Sequence, residues 1–298
     1  MSEIFDKNLA GLSSRLKIAS IVLSENMRSG NFRSMLRGQG IEFSDVREYL
    51  PGDNVRAIDW NVTAKMGKTF IKQYEEDREL NVFFILDCSL SMLSGSNNKS
   101  KIRTACNAAA LLLLASSNNS GANGAVFFDG EIRFSCKPKS GRENAMMILS
   151  KIDSIDFSSA VSGSALPNAI KASAAMLKKR SLVFIISDFR ADGYKTDLAF
   201  LAQKHDVVAV RINDASDSEL PRIGTLPFTD YETKKTVLLP TNSSSFAREW
   251  FDANRQRVDS WNDFCLKHNV VPLPIRTDED IVLVLEVQVY HTAYIVAA

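Results

Sequence analysis

The run Asp87-Cys88-Ser89-Leu90-Ser91 follows directly on Asn81-Val82-Phe83-Phe84-Ile85-Leu86. A carboxylate and two hydroxyls therefore leave the end of an apolar stretch at two-residue spacing. Oxygen donors of this kind suit a hard divalent cation, Mg²⁺ or Mn²⁺. A second apolar run, residues 181–187, leads into Asp188 in the same way. Between the two, Ser162-Gly163-Ser164 precedes a helical segment and offers a further hydroxyl. The candidate metal ligands are thus Asp87, Ser89, Ser91, Ser164 and Asp188, with water completing an octahedron. Paired carboxylates roughly neutralise a divalent ion, and an open position would accept an Asp or Glu from a partner. A strand-end Asp followed by Ser commonly does no more than cap the next helix. Its repetition at a second strand end favours the metal.

These residues need a scaffold that brings distant strand ends together. Strand-length apolar runs at 82–86, 122–128, 132–136, 182–186, 207–212, 236–239 and 270–275 alternate with helix-length segments at 99–117, 142–152, 166–179, 196–205 and 244–268. The alternation predicts an α/β fold with a mostly parallel sheet and helices on both faces. Asp129-Gly130 is a hairpin-type turn. Ligands of such sheets gather beyond the carboxyl ends of the strands, which is where Asp87 and Asp188 fall. Residues 1–80 differ in character. Leu9, Leu12, Leu16 and Ala19 predict a helix within 1–37, and the polar stretch 41–80 turns at Pro51-Gly52-Asp53. The expected organisation is an amino-terminal extension over 1–80 and an α/β domain over 81–298.

Composition narrows the function classes. Lys plus Arg is 36 against 35 for Asp plus Glu, a formal charge of +1. That balance, with no long basic tract, excludes a charge-driven nucleic-acid binder. Cys88, Cys106, Cys136 and Cys265 have no zinc-type spacing, and no secretory signal is read, so a reduced cytoplasmic setting is expected. No apolar run predicts membrane insertion. The last residues, 281–298, read as an apolar, β-prone tail. No phosphate-binding G-x-x-x-x-G-K-[ST] loop and no G-x-S-x-G elbow occurs.

The Asp87, Ser89, Ser91, Ser164 and Asp188 set resembles the metal-ion-dependent adhesion site of von Willebrand factor type A domains, with Ser164 where Thr is usual. Residues 38–60 carry Gly38-Gln39-Gly40-Ile41-Glu42-Phe43, then Asp45, Arg47, Tyr49, Gly52-Asp53, Arg56 and Ile58-Asp59-Trp60. This order is similar to the signature of the bacterial domain-of-unknown-function 58 family, whose A-type domain begins with D-x-S-x-S-M; Met92 completes that string. The resemblance implies a Rossmann-like von Willebrand factor A-type domain behind a family-specific extension. It also implies a metal-dependent protein-interaction module that partners a MoxR-type AAA+ ATPase in chaperone-like maturation. Arg47, Tyr49, Asp53, Arg56, Asp59 and Trp60 form a polar-aromatic cluster. Its expected role is a scaffold that pins the extension to the domain, with partner docking as the other reading. The enzyme alternative is a Mg²⁺-dependent phosphohydrolase with Asp87 as nucleophile. That chemistry wants an acid/base two residues later, where this chain has Ser89.

Overall fold

The computed structural model describes residues 46–50, 58, 60–72, 81–96, 99–117, 121–156, 160–229 and 235–285. The helix expected within 1–37, the side chain of Arg47, and Asp53, Arg56 and Asp59 lie outside the described residues. Ahead of residue 81, β1 (Val46–Glu48) pairs antiparallel with β2 (Phe70–Lys72), and α1 (Trp60–Met66) lies between them in sequence. Tyr49 extends the pairing by donating its backbone N–H to the Thr69 carbonyl at 2.8 Å. Trp60 opens α1. Its side chain is 70% exposed.

The main sheet is built from β3 (Val82–Asp87), β6 (Asn123–Phe128), β7 (Ile132–Lys139), β8 (Leu182–Ser187), β9 (Asp206–Asn213) and β12 (Val270–Arg276). Two further short strands, β4 (Gly95–Ser96) and β5 (Lys99–Ser100), form a hairpin after β3. The pair β10 (Thr225–Thr229) and β11 (Thr236–Pro240) forms a separate antiparallel ribbon. Helices α2 (Lys101–Ser117), α3 (Arg142–Asp153), α4 (Leu166–Met176), α5 (Lys195–Lys204) and α6 (Ser244–Lys267) cover the sheet.

Strand order is β12-β9-β8-β3-β6-β7. The five strands from β12 to β6 are parallel, and only edge strand β7 runs against its neighbour. Every residue of β3, β6 and β8 is buried. Continuous Val, Phe, Ile and Leu at these positions is what a strand covered on both faces requires. Alternate residues then serve different cores. Phe84 and Leu86 pack with α2 and α3, while Phe83 and Ile85 pack with α4, α5 and Trp261 of α6. Each fully buried side chain of this size contributes about 1.5–3 kcal/mol. Helix α2 is apolar almost all round and almost wholly buried, as such a pattern demands.

Three boundaries differ from those read in the sequence. Lys99 and Ser100 pair with Gly95–Ser96 as a strand, so α2 begins at Lys101. Helix α4 stops at Met176, where Leu177 turns extended. Residues 281–285 are helical instead of β, and Leu285 is fully buried against the α2 face of the sheet. Residues 286–298 of that tail lie outside the described residues. No helix among the described residues is long and apolar enough to cross a membrane.

Candidate functional site

The chain leaves β3 toward β6 on one side and leaves β8 toward β9 on the other. Strands β3 and β8 are hydrogen-bonded neighbours, so a crevice opens between their carboxyl ends. Asp87 ends β3 and Asp188 follows β8 directly, each almost fully buried. Asp87 accepts from the Ser89 backbone N–H at 2.9 Å and from the Ser187 hydroxyl at 2.6 Å. The second bond ties the two strand ends across the switch point. Burial, then repulsion from Asp188, pushes the Asp87 carboxyl up from 3.8 to about 7, against the pull of those hydrogen bonds. The two acids predicted to converge are therefore together, and they strain against each other electrostatically.

Ser89 lies beside Asp87, and Ser91 beside Ser89. Ser89 Oγ and Ser91 Oγ lie 3.0 Å apart in a one-turn 3₁₀ helix, Leu90–Leu93. Ser164 reaches the same edge through β6. The Ala165 N–H donates to the Asp129 carbonyl at 2.6 Å, the Gly130 N–H to the Val161 carbonyl at 3.1 Å, and the Val161 N–H to the Asp129 carboxylate at 3.1 Å. Gly130 permits this close approach, since a Cβ there would collide with the Ser162 carbonyl oxygen. Ser164 Oγ is buried and has no hydrogen-bond partner; the same is true of Asp188 Oδ2.

Several residues that the sequence did not single out complete the site. Lys101, at the start of α2, is fully buried. Its Nζ lies 3.5 Å from Asp188 Oδ2 and 3.0 Å from Asp217 Oδ1. Arg190 reaches the same two acids, at 3.7 Å and 2.6 Å. Asp188 Oδ2 thus has cations nearby but no hydrogen bond. Asp129, which follows β6, and Asp214, which follows β9, are further buried acids at this edge; their signal is an apolar strand running into Asp, as at Asp87 and Asp188. Ser187 carried no signal beyond its place before Asp188. Lys101 carries no local sequence signal of its burial, because burial is a tertiary property.

The turn after Asp188 is strained. Phe189 has φ 53°, a left-handed conformation that costs a non-glycine residue about 1–2 kcal/mol. Its ring packs on Tyr194 and Trp261 at centroid distances of 5.6 and 5.3 Å, and its N–H donates to Ser187 Oγ at 3.0 Å. That packing and hydrogen bond hold the turn.

The donor set is all oxygen: Asp87, Asp188, Ser89, Ser91 and Ser164. It fits a small hard cation: Ser164 Oγ is buried with no hydrogen-bond partner, and Asp188 Oδ2, though 3.5 Å from the Lys101 ammonium, accepts no hydrogen bond. Among the described residues, no three His, Cys, Asp or Glu side chains converge to hold a metal. Hydroxyls would have to share such an ion with the two carboxylates.

Fold and site together define an α/β protein with a polar crevice at the switch point of its sheet. Residues 45–259 match the family described as protein of unknown function DUF58, and the chain belongs to that family. It is 28% identical over 250 residues to the uncharacterized protein Rv1480 of Mycobacterium tuberculosis, covering 83% of this chain and 79% of that one. The uncharacterized protein YeaD of Bacillus subtilis is 36% identical over 44 residues, 15% of this chain and 11% of that one. Among solved structures, the conserved hypothetical protein BatB from Bacteroides thetaiotaomicron aligns with a TM-score of 0.46 at 16% identity, over 72% of this chain and 98% of that one.

Proposed function

We propose that this protein is a metal-dependent protein-interaction module with a von Willebrand factor A-type domain. In this reading Asp87, Ser89, Ser91, Ser164 and Asp188 hold Mg²⁺ or Mn²⁺ in a metal-ion-dependent adhesion site. The ion would supply an open coordination position for an acidic side chain of the partner. The partner we propose is a MoxR-type AAA+ ATPase, acting in maturation of other proteins in the cytoplasm.

The observation that carries the metal is a pair of buried acceptors that take no hydrogen bond, Ser164 Oγ and Asp188 Oδ2, the latter with only the Lys101 and Arg190 cations near it, together with the Asp87 carboxyl pushed up to about 7. A divalent ion would satisfy both oxygens and favour the ionised carboxylate. The phosphohydrolase alternative gains nothing comparable, because Ser89 stands where its acid/base would be.

The test is thermal unfolding with Mg²⁺ or Mn²⁺ added, for the wild type and Asp87→Ala. A ligand bound to the native state must raise the melting temperature. A rise in the wild type that is lost in Asp87→Ala supports the site; no rise at saturating ion overturns it. Capture of the ATPase from the native cell, abolished by chelator and by Asp87→Ala, tests the partner.

A further inference from the structure

Beside the Asp87–Asp188 crevice lies a group of donors with no acceptor. Arg211 is near the end of β9, paired in register with Ser187 of β8. It is 2% exposed, and its Nε and Nη1 have no hydrogen-bond partner. Its guanidinium carbon lies 5.2 Å from the Trp261 ring centroid, and the Trp261 indole Nε1, also buried, has no partner either. Arginine and indole nitrogens only donate. They cannot satisfy one another, so the missing group must be an acceptor.

The surrounding charge points the same way. Arg257 of α6 is exposed, and among the described residues no carboxylate lies within ion-pair distance of it. Together with Arg190 it repels Arg211, and that repulsion joins burial in lowering the Arg211 pKa. Asp188 attracts Arg211 but makes no hydrogen bond with it. A buried guanidinium left with two free N–H groups is costly, on the order of several kcal/mol. The strained Phe189 turn, packed on Trp261, forms one wall.

We propose that Arg211 and the Trp261 indole N–H, with Arg257 at the rim, form a binding site for a small oxyanion beside the metal-ligand crevice. Planar guanidinium N–H groups match the paired oxygens of a carboxylate or phosphate. A partner's acidic side chain and free inorganic phosphate share that chemistry. The site requires no divalent ion, so it stands or falls separately from the metal reading.

The experiment follows the indole N–H resonances of the metal-free full chain by ¹⁵N–¹H NMR. The chain has three tryptophans. Trp60 is exposed, and Trp250 Nε1 already donates to the Ser216 carbonyl at 3.2 Å. Phosphate and, separately, acetate are titrated against chloride at equal ionic strength. The Trp261 cross-peak, assigned by its loss in Trp261→Phe, is expected to move saturably. Arg257→Gln should weaken the apparent affinity about tenfold, the worth of one charge-assisted hydrogen bond. Movement with phosphate alone identifies free phosphate as the occupant class; movement with acetate also identifies an acidic side chain. A cross-peak that both anions leave in place overturns the proposal and means that water satisfies the donors. The same titration in Asp87→Ala, which removes a proposed metal ligand, should give an unchanged anion affinity and so keeps this proposal separate from the metal reading.

Discussion

Asp87 and Asp214 leave the same edge of one sheet, and both are almost fully buried. Their surroundings differ completely. Asp214 accepts five hydrogen bonds: from the Ser216 N–H and hydroxyl, the Ser96 N–H and hydroxyl, and the Thr277 hydroxyl. Burial opposes its charge, yet the donors from Ser216, Thr277 and Ser96 outweigh it and lower the pKa to about 2. Asp87 accepts two hydrogen bonds and faces another acid. Asp214 is finished by its own chain: it caps the 3₁₀ turn Ala215–Asp217 and ties the β4–β5 hairpin to the exit of β12. Asp87 is left short of positive partners. A buried carboxylate by itself therefore says little; the count of donors around it separates a structural acid from one kept for a ligand.

The largest effect should come from removing the finished acid. Asp214→Ala strands five donors from three segments and is expected to destabilise by about 3–5 kcal/mol in urea unfolding. Asp87→Asn, in chelated protein at pH 8, should stabilise instead. Equal losses in both would erase the contrast.

The pH dependences should run in opposite directions. The native pKa of Asp87 lies above its unfolded value, so the metal-free native state binds the extra proton. Stability from this group should fall as pH rises from about 4 through about 7, and Asp87→Asn should flatten that slope. Asp214 has a depressed native pKa. Its contribution is present above about 4 and should be lost as pH falls toward about 2. Denaturant midpoints across pH for wild type, Asp87→Asn and Asp214→Asn check both signs.

Lys101 supplies a smaller effect. Its ammonium lies 3.5 Å from the oxygen of Asp188 that a cation would need. Lys101→Met should therefore tighten Mn²⁺ binding about tenfold by calorimetry. Weaker binding would mean that the lysine positions Asp188 instead of competing for it. Smallest of all, Ser216→Ala removes one of the five Asp214 donors through its hydroxyl. It should cost about 1 kcal/mol and leave Mn²⁺ binding unchanged.

Much of this contrast was legible in the sequence, and its limits are physical. Unbroken apolar runs gave β3, β8 and β9, because strands buried on both faces tolerate nothing else. The Asp at the end of each run follows from reading one residue further. Asp214 lay outside the expectation because Asp87 and Asp188 already supply the two carboxylates that a divalent ion needs. Strand order, which makes β3 and β8 neighbours, is long-range and has no local signature. The burial of Lys101 and Arg211 was hidden for the same reason, since both side chains are exposed in most proteins. Strand β10, with Pro227 at its centre, sits in an exposed ribbon where the hydrophobic signal is weak.

Gly130 carries a consequence of a different kind. It has no polar side chain, yet its missing methyl is what lets the β6 exit lie against the Val161–Ser162 backbone and so sets the path of the chain into Ser164. An alanine there would act as a wedge. The acids on β3 and β8 would stay put while one hydroxyl swung away, detuning the crevice from outside it.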